Sequence, residues 1–203
     1  MTDPVARGDK RRSALLESLD HYLRHEYSAE GSLDSINIAD ISRRAGVTRS
    51  AFYFYFENKA SAVAALMEEM YDESSAAADQ LRADGTPAEN IEAMVRALFL
   101  TWDKHEHLFR ASLDARATSA TVRELWDSDR ESFVPVVASM IEDERRSGAA
   151  PPGTDATALA SVLLELNDRM LERLALGGTL DREQLVEAVV AIWLHTIYGE
   201  VRR

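Results

Sequence analysis

The sequence predicts an all-α chain of about nine helices, and three observations predict it. Apolar residues recur at three- and four-residue spacing in nearly every segment. No stretch alternates polar and apolar with period two, as a half-buried strand would. Clusters of Gly, Pro, Asp and Ser interrupt the pattern at helix-length intervals. The 203 residues suffice for one large core or two small ones, and 46% hydrophobic with 29% charged residues is ordinary for a folded chain. The expected organisation is an N-terminal three-helix head over 1–57 and a C-terminal helical domain over 58–203.

The elements follow in order. Leu15, Leu16, Leu19, Tyr22 and Leu23 share one helical face, and Gly31 is expected to close that helix. In "NIADISRRAGVTRS", Ile38, Ile41 and Ala45 mark a second, short helix. Gly46 breaks it, and Thr48 is placed to N-cap a third. A fourth runs from Asn58 to about Leu81 and ends at Asp84-Gly85-Thr86-Pro87. Further helices are expected at about 88–103, 105–113, 119–147, 154–176 and 181–198, separated by breaks that include "DARATS", "SGAAPPGT" and "LGGTLD".

Composition excludes several classes. The absence of cysteine removes disulfides and thiolate chemistry and fits a reducing compartment. The first residues lead into no apolar leader, and no uncharged run approaches the ~18 residues of a membrane span, so a cytoplasmic protein with no membrane partner is expected. The net charge of −12 argues against a polyanion partner over most of the chain. Residues 1–60, with nine Lys and Arg, are close to neutral, so the N-terminal quarter is the part able to approach one.

That quarter holds "AFYFYF", in which Phe52 to Phe56 are five consecutive rings out of fifteen aromatics in the chain. Rings in a row suit a strand by propensity, yet a helix, a Gly turn and a second helix opening at Thr48 is helix-turn-helix spacing. On that second helix Phe52 and Phe56, four apart, can pack on Ile38, Ile41 and Ala45. Tyr53, Phe54 and Tyr55 are then left outward. With Arg49, Lys59 and the small or hydroxylated Ser50 and Ala51, they form a surface suited to phosphates and groove edges. The alternative is that all five rings belong to a core or to a protein interface.

The stretch "INIADISRRAGVTRSAFYFYFENKASAV" resembles the DNA-binding signature of the TetR family of transcription regulators. Ile41, Ala45-Gly46-Val47-Thr48, Ala51-Phe52-Tyr53, Phe56 and Lys59 match it; Ser42, Ser50 and Ala60 depart from it. The resemblance implies double-stranded operator DNA as partner, contacted by Thr48, Arg49, Ser50, Ala51, Tyr53, Phe54, Tyr55 and Lys59. Position 50 faces DNA in the family, so the operator sequence does not carry over. "ARATSATVRELW", "ERRSGAAPP", "LNDR" and "IWLHTIYGE" are similar to the EthR-type repressors within that family. This implies a homodimer with a tunnel for a small lipophilic effector in each C-terminal domain.

The C-terminal residues carry part of this on their own. A wheel of 156–176 gathers Glu165, Asp168, Arg169, Glu172 and Arg173 into a polar arc, with Leu163, Met170 and Leu171 among the residues opposite. Asn167 falls amid the apolar arc, either as an amide satisfied in the core or dimer seam, or as the polar anchor of a ligand cavity. The last helix is apolar over more than one stripe, which suits a helix with neighbours on two sides. A homodimer through the last two helices is therefore expected, with Val189 and Ile197 as seam candidates. The resemblance implies a tunnel lined by Leu98, Trp102, Phe109, Leu113, Trp126, Phe133, Asn167, Leu171 and Trp193. It also places Leu164 where the EthR type has a second amide, so the ligand chemistry is expected to differ.

No nucleotide-binding or hydrolase motif is present, so no enzyme and no cofactor is expected. His21/His25 and His105-Glu106-His107 could ligate a metal or lie on solvated helices, and no third ligand is evident. The basic head "ARGDKRRS" could reach a minor groove or be a solvated tail. The expected mechanism is a one-component switch: ligand entry favours a dimer whose paired helices no longer match successive major grooves. The competing reading is a helical ligand-binding or scaffold protein whose helix-turn-helix serves a protein partner.

Overall fold

The computed structural model describes residues 4–27, 32–82 and 85–199. Among them are nine α-helices: α1 (Pro4–His25), α2 (Ile38–Arg44), α3 (Arg49–Tyr55), α4 (Lys59–Ala78), α5 (Pro87–Lys104), α6 (Glu106–Thr118), α7 (Ala120–Ser147), α8 (Ala156–Ala175) and α9 (Arg182–Tyr198). Short 3-10 turns occupy Leu33–Ser35 and Asp79–Arg82, and no strand occurs among the described residues. The fold is all-α, as the periodicity predicts.

Side-chain caps set many of the boundaries. Thr86 and Glu89 form a reciprocal box at the start of α5, with Thr86 N–H donating to Glu89 Oε2 (2.9 Å) and Glu89 N–H to Thr86 Oγ1 (3.3 Å). Asp155 Oδ1 accepts from Ala158 N–H (2.9 Å) to open α8, and Asp181 Oδ1 accepts from Glu183 N–H (2.9 Å) to open α9. Two expected ends shift. The helix expected over 105–113 continues to Thr118, because "DARATS" contains no Gly or Pro and the first capping residue able to start α7 is Ser119, whose Oγ accepts from Val122 N–H (3.4 Å). The helix expected to reach Leu81 becomes a 3-10 turn after Ala78. Gly31, the expected end of the first helix, lies outside the described residues; α1 ends at His25, and at its other end the basic head is helical from Pro4.

The chain forms two compact units: residues 1–70 with 105–124, and residues 71–104 with 125–203. In the first, α1 packs on α2 and α6, and α2 on α3. Leu15, Leu19, Leu23, Ile41, Phe52 and Val63 make its core. In the second, α9 packs on α5 and α8, around Trp193, Phe99, Val95 and Ile141. The packing differs from the division expected at 57/58: residues 58–70 and α6 go with the N-terminal helices.

The seam candidates need correction. Val189 and Ile197 are each 1% exposed in the single chain, so they belong to its own core. The same i, i+4 stripe buries Leu185 and Trp193. On α9 it is Ile192 that stays out, 44% exposed, and on α8 Val162, 64% exposed. A helix apolar on several sides conceals from periodicity which side faces its own core.

Candidate nucleic-acid interface and effector site

The turn between α2 and α3 is built by Gly46 at φ +68°, a left-handed conformation that glycine adopts without a Cβ penalty. Gly46 N–H donates to Arg43 C=O (3.1 Å) and Val47 N–H to Ser42 C=O (2.9 Å), the paired bonds of a Schellman end. Thr48 Oγ1 then accepts from Ala51 N–H (3.3 Å) and opens α3. Ser18, buried on α1, donates to Ile41 C=O (3.0 Å) and fixes α2 against α1.

Four of the five rings divide as the i, i+4 spacing requires; Tyr55, expected outward with Tyr53 and Phe54, does not. Phe52 and Phe56 are 2% and 4% exposed with centroids 5.4 Å apart, while Tyr53 and Phe54 are 48% and 82% exposed. Tyr55 is half-buried, edge-on to Phe54. The Arg49 guanidinium lies 5.8 Å from the Tyr53 ring centroid and donates to its hydroxyl (3.4 Å). Ser50 is exposed beside them, Ala51 is half-buried, and Thr48 acts as a cap. Half-buried Lys59 donates through Nζ to Asp34 C=O (2.9 Å), which holds the start of α4 to the Leu33–Ser35 turn. Sequence reasoning missed Arg12, whose guanidinium sits 5.7 Å from the Phe56 ring centroid, and the carbonyl of Asp34; no local pattern signals either.

In the second unit Asn167 is buried, and its Oδ1 accepts from the indole N–H of fully buried Trp193 (3.1 Å). Asn167 Nδ2 is buried with no hydrogen-bond partner, so the amide retains an unused donor. One residue on, Asp168 accepts from Trp126 Nε1 (3.0 Å) and from Arg130 (3.4 Å), and Arg130 also pairs with Glu165 (3.1 Å) and Asp127 (3.2 Å). Burial raises the Asp168 pKa, against the lowering by Trp126 and Arg130. Burial, and then the charge of Asp168, push Asp129 up from 3.8 to about 6. Trp102 on α5 and Leu171 on α8 are buried; Leu98 on α5 and Phe133 on α7 are half-buried. Phe109 and Leu113 lie on α6 in the first unit, so the nine expected tunnel residues divide between the units.

The comparisons with known proteins agree with this architecture. The family described as "Bacterial regulatory proteins, tetR family" matches residues 26–66, and "Transcriptional regulator EthR, C-terminal domain" matches residues 89–199. The chain is similar to the HTH-type transcriptional regulator EthR of Mycobacterium tuberculosis, with 32% identity over 200 residues, 96% of this chain and 90% of that protein. Its counterpart in Mycolicibacterium smegmatis is 30% identical over 197 residues, 95% of this chain and 88% of that one. The chain belongs to the TetR family of bacterial transcriptional regulators. Solved structures share the fold: a TetR/AcrR-family regulator from Thermobifida fusca has a TM-score of 0.69 at 18% identity, covering 95% of this chain and 99% of its own. FadR from Bacillus subtilis, in complex with stearoyl-CoA, has a TM-score of 0.69 at 16% identity, covering 92% of this chain and 98% of its own.

In this TetR-family regulator α6 is tied by one polar pair to α1 and by a second to Tyr27, two residues beyond its end. His107 Nε2 meets Asp20 Oδ1 at 2.7 Å, and the Tyr27 hydroxyl donates to Asp114. Burial lowers the His107 pKa; burial would raise that of Asp20, but the hydrogen bond and charge of His107, with Arg24, lower it. Burial and then Asp114 raise the Tyr27 pKa, keeping the phenol protonated. The His21 and His25 rings lie 4.5 Å apart, with His21 against Arg44. Among the described residues no three His, Asp or Glu side chains gather as a metal site would require, and no helix is long and apolar enough to cross a membrane.

Proposed function

We propose that this TetR-family regulator is a repressor that binds operator DNA in the bacterial cytoplasm as a homodimer and is released by a small lipophilic ligand. The observation that carries the DNA part is the division of the aromatic run. Phe52 and Phe56 anchor α3 from inside while Arg49, Ser50, Tyr53 and Phe54 stand on its open face. In this reading residues 1–57 read DNA, with α3 in the major groove and Tyr53, Tyr55 and Lys59 on phosphates; residues 58–203 take the ligand and form the dimer.

The ligand part rests on Asn167. With its oxygen engaged by Trp193 and Nδ2 unpartnered, the side chain selects an acceptor, so the favoured effector is a lipophilic ester, amide or ketone oriented by its carbonyl. The FadR structure holds stearoyl-CoA, an acyl chain of that general kind, on the same fold. The dimer part rests on Val162 and Ile192, exposed apolar residues on α8 and α9. The test is a mobility-shift assay on DNA upstream of the protein's own gene, repeated with long-chain esters and ketones. A shift that the carbonyl compounds reverse supports the reading. Absence of any shift, in a preparation shown to be folded, removes the DNA function in favour of a protein partner for α3.

A further inference from the structure

A cleft of about 540 Å³ opens within the first unit, between the start of α4 and the α6–α7 turn. Its floor is the buried Leu33, Ile38 and Ala60. One wall carries Tyr53, Asn58 and Lys59, and the other is the run Thr118–Thr121. We propose that the DNA backbone runs past Lys59 into this cleft and that Ser119 and Thr121 form a second phosphate-binding wall. The DNA contact would then extend beyond the helix-turn-helix to the end of α6. This rests on the DNA-binding reading of α3 given above.

Two features point to a phosphate, and the charge of the lining bears on its source. The lining combines a phenol, an amide, an ammonium and aliphatic hydroxyls, the side-chain types that contact phosphates in protein–DNA complexes. Lys59 Nζ has three donors, of which one goes to Asp34 C=O, so the ammonium keeps donors for a second acceptor. Charge then separates a duplex from a free anion. Asp34 and Glu57 are also among the lining residues, two acidic residues against one lysine, so a small anion from solution is not drawn in. A phosphate tethered to a duplex already seated on α3 is held there by the duplex's other contacts, so the hydroxyl and ammonium donors can engage it despite the acidic residues. The same two carboxylates keep the contact weak, and neutralising one should strengthen it.

The test needs no operator, because phosphate contacts are independent of sequence: anisotropy titrations of the full chain on a duplex of about 30 base pairs, at several salt concentrations. Thr121 is exposed in the first turn of α7, so its variants should fold. Thr121→Lys should steepen the salt slope by about 0.9, one added phosphate contact. Thr121→Val, which changes no charge, should weaken low-salt binding by about fivefold, the order of one hydrogen bond, and Glu57→Gln should tighten it. If Lys59→Ala loses one contact while either Thr121 variant binds as the parent does, the duplex stops at Lys59 and the proposal is overturned. If Lys59→Ala also leaves the slope unchanged, the DNA-binding reading of this face fails together with it.

Discussion

Asn167 stands out on the helix wheel as a lone amide amid an apolar arc, and the proposed effector role turns on its unpartnered Nδ2. An amide buried beside Trp193 with Nδ2 unsatisfied costs on the order of 1 kcal/mol or more, which a ligand carbonyl would recover. Asn167→Leu should therefore weaken the response to carbonyl-bearing effectors by roughly tenfold while DNA affinity without effector changes little. Titrating release of bound DNA with an ester and with the matching alkane checks it; equal loss for both would make Asn167 a packing residue. Asp129 gives a second residue-level outcome. Its folded pKa of about 6 exceeds 3.8, so its favourable contribution is present below 3.8 and lost as pH rises through about 6. Asp129→Asn should remove that loss and raise stability near pH 7.5, with the difference vanishing toward pH 4. The shift corresponds to roughly 3 kcal/mol, which screening at a half-exposed carboxylate reduces to on the order of 1 kcal/mol. Thermal midpoints of the two proteins across that range decide it.

At the scale of elements, α3 is only two turns long, and what positions it is the turn before it. Gly46 lies at φ +68°, and a Cβ added there would meet no atom within 4 Å. Gly46→Ala should therefore cost only backbone strain, about 1 kcal/mol, read as a fall of roughly 2–4 °C in Tm. A much larger fall would mean that the turn packs more tightly than the structure shows. The helix-turn-helix and its inward rings were legible because they follow from local rules: a Gly stop, a Thr cap and i, i+4 spacing. The extent of α6 and its company were not. Nothing in "HLFRASLDARAT" records that Asp114 meets Tyr27 and His107 meets Asp20, each across 87 positions of sequence. Phe109 and Leu113 could accordingly be recognised as apolar helix positions without the unit they belong to being visible. Asn167 was legible as an anomaly, whereas its bond to Trp193 was not, since the two stand on different helices.

At the scale of the molecule, the uneven charge and the exposed apolar residues of α8 and α9 bear on one assembly. Most of the net charge of −12 lies outside the first 60 residues, so the segment proposed to meet a duplex is near neutral, and in a dimer two such segments would compensate for the weak electrostatics of each. Val162 and Ile192, 64% and 44% exposed, are the positions where a seam through α8 and α9 would gain apolar burial. Val189 and Ile197 cannot report on that seam, because charging either damages the core of the single chain. Ile192→Glu is the informative change: it leaves the fold intact, and in a seam it would bury an unpaired carboxylate at a cost of several kcal/mol. Sedimentation should then show monomers with unchanged helical content, and binding to two-half-site DNA should fall far more than binding to a single half-site. A folded Ile192→Glu protein that sediments as a dimer would place the seam elsewhere, and Val162→Glu with the same result would remove α8 as well.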